Sequence, residues 1–86
     1  MVERTMESVR IPIDEIYVPV KRKSSLNQQQ VDALAQSIME EGLKLPISVR
    51  QGNGRYVLVE GLHRLEACRA LGEDAIESII VRARQH

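Results

Sequence analysis

The sequence predicts a small α+β domain, a mixed sheet with two helices packed on it. Two segments with helical spacing of apolar residues alternate with short apolar runs that are typical of strands. An Asn-Gly pair between two of these runs indicates a hairpin. With 86 residues, the chain has room for one core and for a single domain, which we place at residues 9–86 after a flexible arm over residues 1–8.

The first element is a short strand from Val9 to Ile13, and Pro12 within it predicts an edge position because proline cannot donate to a ladder. Residues 14–16 indicate a turn or a short helical piece. Extended chain over residues 17–20 then leads into a polar loop with three consecutive cations, Lys21, Arg22 and Lys23.

The first helix begins after Asn27, a good capping residue, with Gln30 as its capping-box partner and Leu26 packing against Val31. Gly42 ends the helix. The predicted buried stripe follows i, i+3, i+4, i+7, i+8 spacing and consists of Val31, Leu34, Ala35, Ile38 and Met39.

The second half of the sequence predicts a hairpin, a helix and a last strand. Strands over residues 47–50 and 55–59 flank the turn at Asn53-Gly54. A helix follows from about Leu62 to Leu71, and Gly72 stops it. Its inner face comprises Leu62, Leu65, Cys68 and Leu71, and the last strand covers residues 79–81.

Composition excludes several classes of protein. Twelve basic and twelve acidic residues cancel, and only two aromatic residues are present, so DNA binding by this chain alone is not expected. One cysteine excludes an internal disulfide framework. No apolar stretch suits a membrane span or a signal peptide, so we expect a cytoplasmic protein with no membrane partner.

The turn between the hairpin and the second helix is the strongest candidate site. A strand, Gly61 and a helix that opens with His63 and Arg64 would form a phosphate cradle, because the first N–H groups of a helix have no internal partners. Arg64 offers a charged fork, and His63 can donate a hydrogen bond or act as an acid. The alternative is a solvated pair at a helix start.

Six further positions carry a functional and a structural interpretation. Glu60 could hold Mg²⁺ or accept a proton, or it is a surface residue at a strand end. The cations at Lys21, Arg22 and Lys23 could close over phosphates, or they form a solvated loop. Ser37 could reach a phosphate, or it is a small polar residue at the core margin. Cys68 would be reactive only if it were exposed with a lowered pKa, and we expect it to be a buried, inert thiol.

The chain resembles the ParB/sulfiredoxin superfamily over residues 9–82. The segments that carry the resemblance are Leu34-Ala35-Gln36-Ser37-Ile38, Gly42-Leu43, Pro46-Ile47-Ser48-Val49 and Gly61-Leu62-His63-Arg64-Leu65-Glu66-Ala67. The resemblance implies a nucleotide, ATP or CTP with Mg²⁺. It also implies phosphate contacts from Gly61, His63, Arg64 and Ser37, with the basic residues 21–23 near the nucleotide.

Three branches differ at the glycine turn. Sulfiredoxins carry Gly-Cys-His-Arg, and Leu62 stands where their nucleophilic cysteine would be, so sulfinate reduction is not expected. ParB proteins carry Gly-Glu-Arg-Arg, and Leu62 also replaces that glutamate. Free-serine kinases carry Asp-Gly-His-His-Arg, of which this chain keeps an acid at Glu60, with Glu15 as a candidate for their second glutamate.

Three functions therefore remain open from the sequence. The first is a nucleotide-binding domain that supports phosphoryl transfer, with Glu60 and His63 as catalytic candidates. The second is a non-catalytic, ParB-like regulatory or DNA-partition-associated module in which a nucleotide or another anion sets a conformation for a protein partner. The third is a sulfiredoxin-like protein that lacks the nucleophilic cysteine.

Overall fold

A computed structural model describes residues 8–82 and contains five strands and three α-helices within them. The strands are β1 (Ser8–Pro12), β2 (Ile16–Tyr17), β3 (Ile47–Gln51), β4 (Tyr56–Glu60) and β5 (Ala75–Ile80). The helices are α1 (Val20–Lys23), α2 (Gln28–Glu41) and α3 (Leu62–Ala70), and a 3₁₀ turn covers Ile13–Glu15. The predicted α+β class with a mixed sheet is confirmed.

The strands form one sheet in the order β1-β5-β3-β4-β2. β1 is antiparallel to β5 and β3 is antiparallel to β4, whereas the β5–β3 and β4–β2 pairs are parallel. The strand that contains Pro12 is therefore an edge strand, as predicted. β4 has a neighbour on each side, and its carboxyl end leads directly into α3.

The core lies between α3 and the sheet. Leu65 of α3 and Ile47 and Val49 of β3 are fully enclosed. Ser78 of β5 is the buried polar side chain of the described region, and its hydroxyl donates to the carbonyl of Ile76 at 3.0 Å. α2 packs mainly against α3, and Val31 is its one fully buried residue. Within residues 8–82, no helix has the length and apolar character to cross a bilayer.

The predicted helix ends and hairpin are confirmed by local geometry. The Asn27 side chain accepts a hydrogen bond from the main-chain N–H of Gln30 at 3.0 Å. Gly42 ends α2 with φ of 84°, and its N–H donates to the carbonyl of Ile38 at 2.7 Å. The turn at Asn53-Gly54 closes with a 2.7 Å bond from the Gly52 N–H to the Arg55 carbonyl.

The N-terminal third differs from the prediction. Residues 21–23, expected in a loop, belong to the short helix α1, and β2 was not predicted as a strand. β2 has only two residues and pairs in parallel with β4. A strand this short has no alternation of apolar and polar residues from which it could be predicted. Of the predicted arm, residues 1–7 lie outside the described residues, and Ser8 already belongs to β1.

Two further expectations were wrong. Met39 is 68% exposed, because α2 turns a narrower face to α3 than its apolar pattern indicates. The last strand begins at Ala75 rather than at Ile79. Glu77 interrupts the apolar run but fits within the strand, because its carboxylate accepts from the Ser8 hydroxyl at 3.0 Å and pairs with Arg10 at 3.6 Å.

Candidate functional site

Gly61 makes the turn between β4 and α3, and only glycine fits there. Its φ is +107°, a backbone conformation that side chains with a Cβ rarely adopt. A Cβ at this position would lie 2.7 Å from Cγ2 of Ile47, which is itself fully buried. The close approach of the turn to β3 therefore fixes both the residue type and the direction in which α3 starts.

The first turn of α3 presents main-chain donors. Within residues 8–82, no side chain caps this helix start, and the first intrahelical bond runs from the Leu65 N–H to the Gly61 carbonyl at 2.9 Å. The N–H groups of Leu62, His63 and Arg64 precede that bond and have no partner within the helix. Together with the positive end of the helix dipole, they form a local anion-binding geometry.

His63 is bonded to the start of α2. Its Nε2 accepts a hydrogen bond from the main-chain N–H of Asn27 at 3.0 Å. The predicted capping box needed that same N–H to bond the Gln30 side chain, so its reciprocal half is wrong. The two residues of the bond lie 36 positions apart in the chain, and no local sequence signal could have shown the contact.

Arg64 is bonded to the segment that follows α2. Its Nη1 donates to the carbonyls of Pro46 at 2.6 Å and Leu45 at 3.3 Å, and the side chain is half-buried. These bonds hold the guanidinium in one orientation. His63 therefore ties the first turn of α3 to the residue before α2, and Arg64 ties it to the segment directly before β3.

A cavity of about 290 Å³ opens at this turn, and several of the predicted site residues line it. Gly61, His63, Arg64 and Arg22 line it, which brings α1 next to the first turn of α3. Ser25 and Leu34 also line it, and neither was predicted as a site residue. Of the three basic residues of α1, Arg22 is the one in this lining.

The remaining predicted site residues lie outside this lining, and their roles stay predictions. Ser37 is exposed on α2, three residues beyond Leu34 and thus about one turn further along the helix. Lys21 is exposed on α1, and Lys23 lines a neighbouring cavity. Glu60 is exposed at the end of β4, opposite Ser48.

The charged side chains that line the 290 Å³ cavity are of one sign. Its lining contains two arginines and a histidine and no carboxylate. Within residues 8–82, no group of three or more histidine, cysteine or acidic side chains could hold a metal ion. The cavity therefore suits an anion, and the protein side chains near it do not form a metal centre by themselves.

A second cavity of about 470 Å³ lies on the other side of Leu62, whose side chain lines both. Its walls are mostly apolar, and Glu66 and Arg69 form an ion pair at 3.3 Å in its lining.

Cys68 of α3 is buried in the core, as predicted. Burial raises the pKa of its thiol, and the nearby Glu73 carboxylate raises it further, so the thiolate is disfavoured.

Comparison with known proteins confirms the resemblance. A model of the ParB N-terminal domain family matches residues 2–86. The probable chromosome-partitioning protein ParB of Campylobacter jejuni is 39% identical over 75 residues, which are 86% of this chain and 27% of that protein. The chain thus spans less than a third of the length of this relative.

Solved structures show the same fold. Sulfiredoxin from Arabidopsis thaliana superposes with a TM-score of 0.79 at 36% identity, covering 88% of this chain and 85% of that chain. A truncated ParB from Caulobacter crescentus, complexed with CTP-gamma-S, gives 0.76 at 24% identity and covers 91% and 46%. A free serine kinase mutant in complex with ADP gives 0.77 at 23% and covers 91% and 32%.

Proposed function

This chain belongs to the ParB N-terminal domain family, and we propose that it binds a nucleoside triphosphate, ATP or CTP with Mg²⁺, through its phosphates at the first turn of α3. The observation that carries the proposal is the 290 Å³ cavity, where Gly61, His63, Arg64 and Arg22 meet around main-chain donors. Positive side chains at a helix N-terminus are unfavourable on their own, and a bound anion offsets that cost.

Each group has a distinct role in this proposal. Gly61 lets the backbone come close to the phosphate, and the following N–H groups bind its oxygens. Arg64 uses Nη1 for the carbonyls of Leu45 and Pro46, which leaves Nε and Nη2 of its fork for phosphate oxygens. Arg22 of α1 lines the same cavity, and Leu34 of α2 offers an apolar wall beside the nucleoside.

The ligands of the solved relatives support a nucleotide rather than a simple anion. The ParB structure holds a CTP analogue and the kinase structure holds ADP. Mg²⁺ usually binds through phosphate oxygens and one or two carboxylates. Glu60, directly before the turn and exposed, is the carboxylate that we assign to this ion.

Calorimetry with ATP and with CTP, each with and without Mg²⁺, tests the proposal. Arg64→Ala should weaken binding about 10- to 100-fold, as expected for the loss of a charged donor to phosphate. Arg69→Ala is the matched control, because Arg69 lies on the same helix but outside this cavity. Failure of both nucleotides to bind at millimolar concentration would contradict the proposal.

Turnover separates phosphoryl transfer from a regulatory module that only binds. If Glu60 handles the metal or a proton, Glu60→Gln should abolish nucleotide turnover and leave nucleotide affinity largely intact. A module without turnover should show the same nucleotide consumption with and without the substitution, at the background rate. Phosphate release measured on both proteins distinguishes the two.

The sulfiredoxin relationship suggests one gain-of-function test. Leu62 is 6% exposed and lies between the two cavities, so a side chain at this position can face either of them. Leu62→Cys should introduce sulfinate reductase activity if the scaffold lacks only the nucleophile. Absence of activity in a folded, nucleotide-binding variant would exclude that interpretation.

A further inference from the structure

The hydrogen bond between Asn27 and His63 determines which imidazole nitrogen carries the proton. A main-chain N–H is only a donor, so the Nε2 atom that it contacts at 3.0 Å must present a lone pair. The proton of neutral His63 then resides on Nδ1. Free histidine side chains in water prefer the opposite tautomer, so this contact has to impose the Nδ1–H form.

We propose that Asn27 is a positioning residue for the phosphate site, acting through its main-chain N–H. His63 lines the cavity, and with Nε2 occupied by Asn27, Nδ1–H is the ring donor left for a phosphate oxygen. The inference rests on the proposed function. It makes His63 a neutral hydrogen-bond donor to the ligand, whereas a proton-transfer role through Nε2 would break the bond to Asn27.

The geometry of α2 holds the Asn27 N–H in place. Asn27 is the capping residue of α2, with φ of −117°, and its side chain accepts from the Gln30 N–H at 3.0 Å. Its own carbonyl accepts the first helical bond, from the Val31 N–H at 3.1 Å. The peptide is therefore fixed by its own helix, and the imidazole on α3 adapts to it.

Nitrogen NMR of ¹⁵N-histidine-labelled protein tests the tautomer without a ligand. A His86→Gln background leaves His63 as the one labelled histidine. At about pH 8, Nδ1 should show the shift of a protonated nitrogen and Nε2 that of an unprotonated one. The reverse assignment would overturn the inference.

Two variants of Asn27 separate its N–H from its side chain. Asn27→Ala removes the side-chain cap and keeps the N–H, whereas Asn27→Pro removes both. The Nδ1–H tautomer should persist in the alanine variant and give way to Nε2–H in the proline variant, whose affinity for ATP should be about fivefold weaker than that of the alanine variant. Equal tautomers in the two variants would count against a role for the N–H.

ATP titration of the labelled protein keeps the two proposals apart. Movement of the Nδ1 resonance with Nε2 unchanged supports the positioning role. A Nε2–H tautomer with intact ATP binding overturns the role of Asn27 alone. A Nδ1 resonance that does not respond to ATP which calorimetry shows to be bound overturns the donor role of His63, whereas absence of ATP binding overturns the phosphate site itself. If the proline variant does not fold, the wild-type and alanine spectra still decide between these outcomes.

Discussion

The two long helices begin in opposite ways, although both face the same problem of N–H groups without helical partners. α2 starts with Asn27, whose side chain accepts from the Gln30 N–H. α3 starts with Gly61, which has no side chain to offer, and no other described residue caps it. One helix start has a side-chain cap from its own sequence, and the other has no side-chain cap within the described residues.

The capped start of α2, which we call the closed helix start, also holds the uncapped start of α3, the open helix start, in position. His63 is bonded to the main chain at the start of α2, and Arg64 to the carbonyls directly before β3, so the start of α2 and the segment before β3 both support the first turn of α3. The glycine that leaves α3 uncapped is required by packing against Ile47. The absence of a cap is thus a consequence of tight packing, and the proposed ligand site makes use of it.

The strongest effect should come from a Cβ at the open helix start. Gly61→Ala should destabilise the fold by about 2–4 kcal/mol, because it combines an unfavourable positive φ with a clash in the core. Urea unfolding followed by circular dichroism measures this loss.

The matched control is Gly72→Ala. Gly72 also has a positive φ, of 82°, but a Cβ added there would meet no heavy atom of the described residues within 4 Å. Its cost should be about 1–2 kcal/mol, from the backbone conformation alone. If the two substitutions cost the same, close packing does not determine the start of α3.

The closed helix start should contribute less. Asn27→Ala removes the bond to the Gln30 N–H and should lower the free energy of unfolding by about 1 kcal/mol. Asn27→Ser keeps a capping oxygen and should recover most of that loss in the same urea experiment. A full loss in both variants would mean that the cap is not what stabilises this end.

The basic residues of α1 test how far the open site extends. Arg22 lines the cavity and Lys21 does not. Arg22→Ala should weaken ATP binding about threefold, the effect expected of one exposed charge, and Lys21→Ala should weaken it less. Isothermal calorimetry at two salt concentrations measures both, and equal losses would assign the effect to the overall charge of the segment.

The weakest effect should arise at the other end of α3, where Cys68 is buried. Because its pKa is raised in the folded state, the folded protein holds the thiol proton more tightly than the unfolded chain. The resulting stability is complete below the ordinary thiol pKa and is lost as the pH rises through the raised value. Between about pH 8 and 10, wild type should lose more stability than Cys68→Ala, and parallel pH profiles would exclude this contribution.

Much of the fold was predictable because its signals are local. Asn27, Gly42 and the Asn53-Gly54 turn act on their immediate neighbours, so their effects can be inferred from spacing alone. The errors occur where distant partners decide. β2 exists because β4 lies beside it, and Glu77 fits within β5 because Ser8 and Arg10 of β1 face it.

Local sequence was sufficient for the α+β class, the helix caps and the glycine turn with His63 and Arg64 at the helix start. Each of these depends on backbone preferences and capping over a few residues. Three contacts of the site became visible only in the folded chain. Asn27 bonds His63, the carbonyls of residues 45 and 46 hold Arg64, and Arg22 reaches the same cavity. Those contacts join residues far apart in the chain, where side-chain orientation depends on packing and no periodic pattern records it.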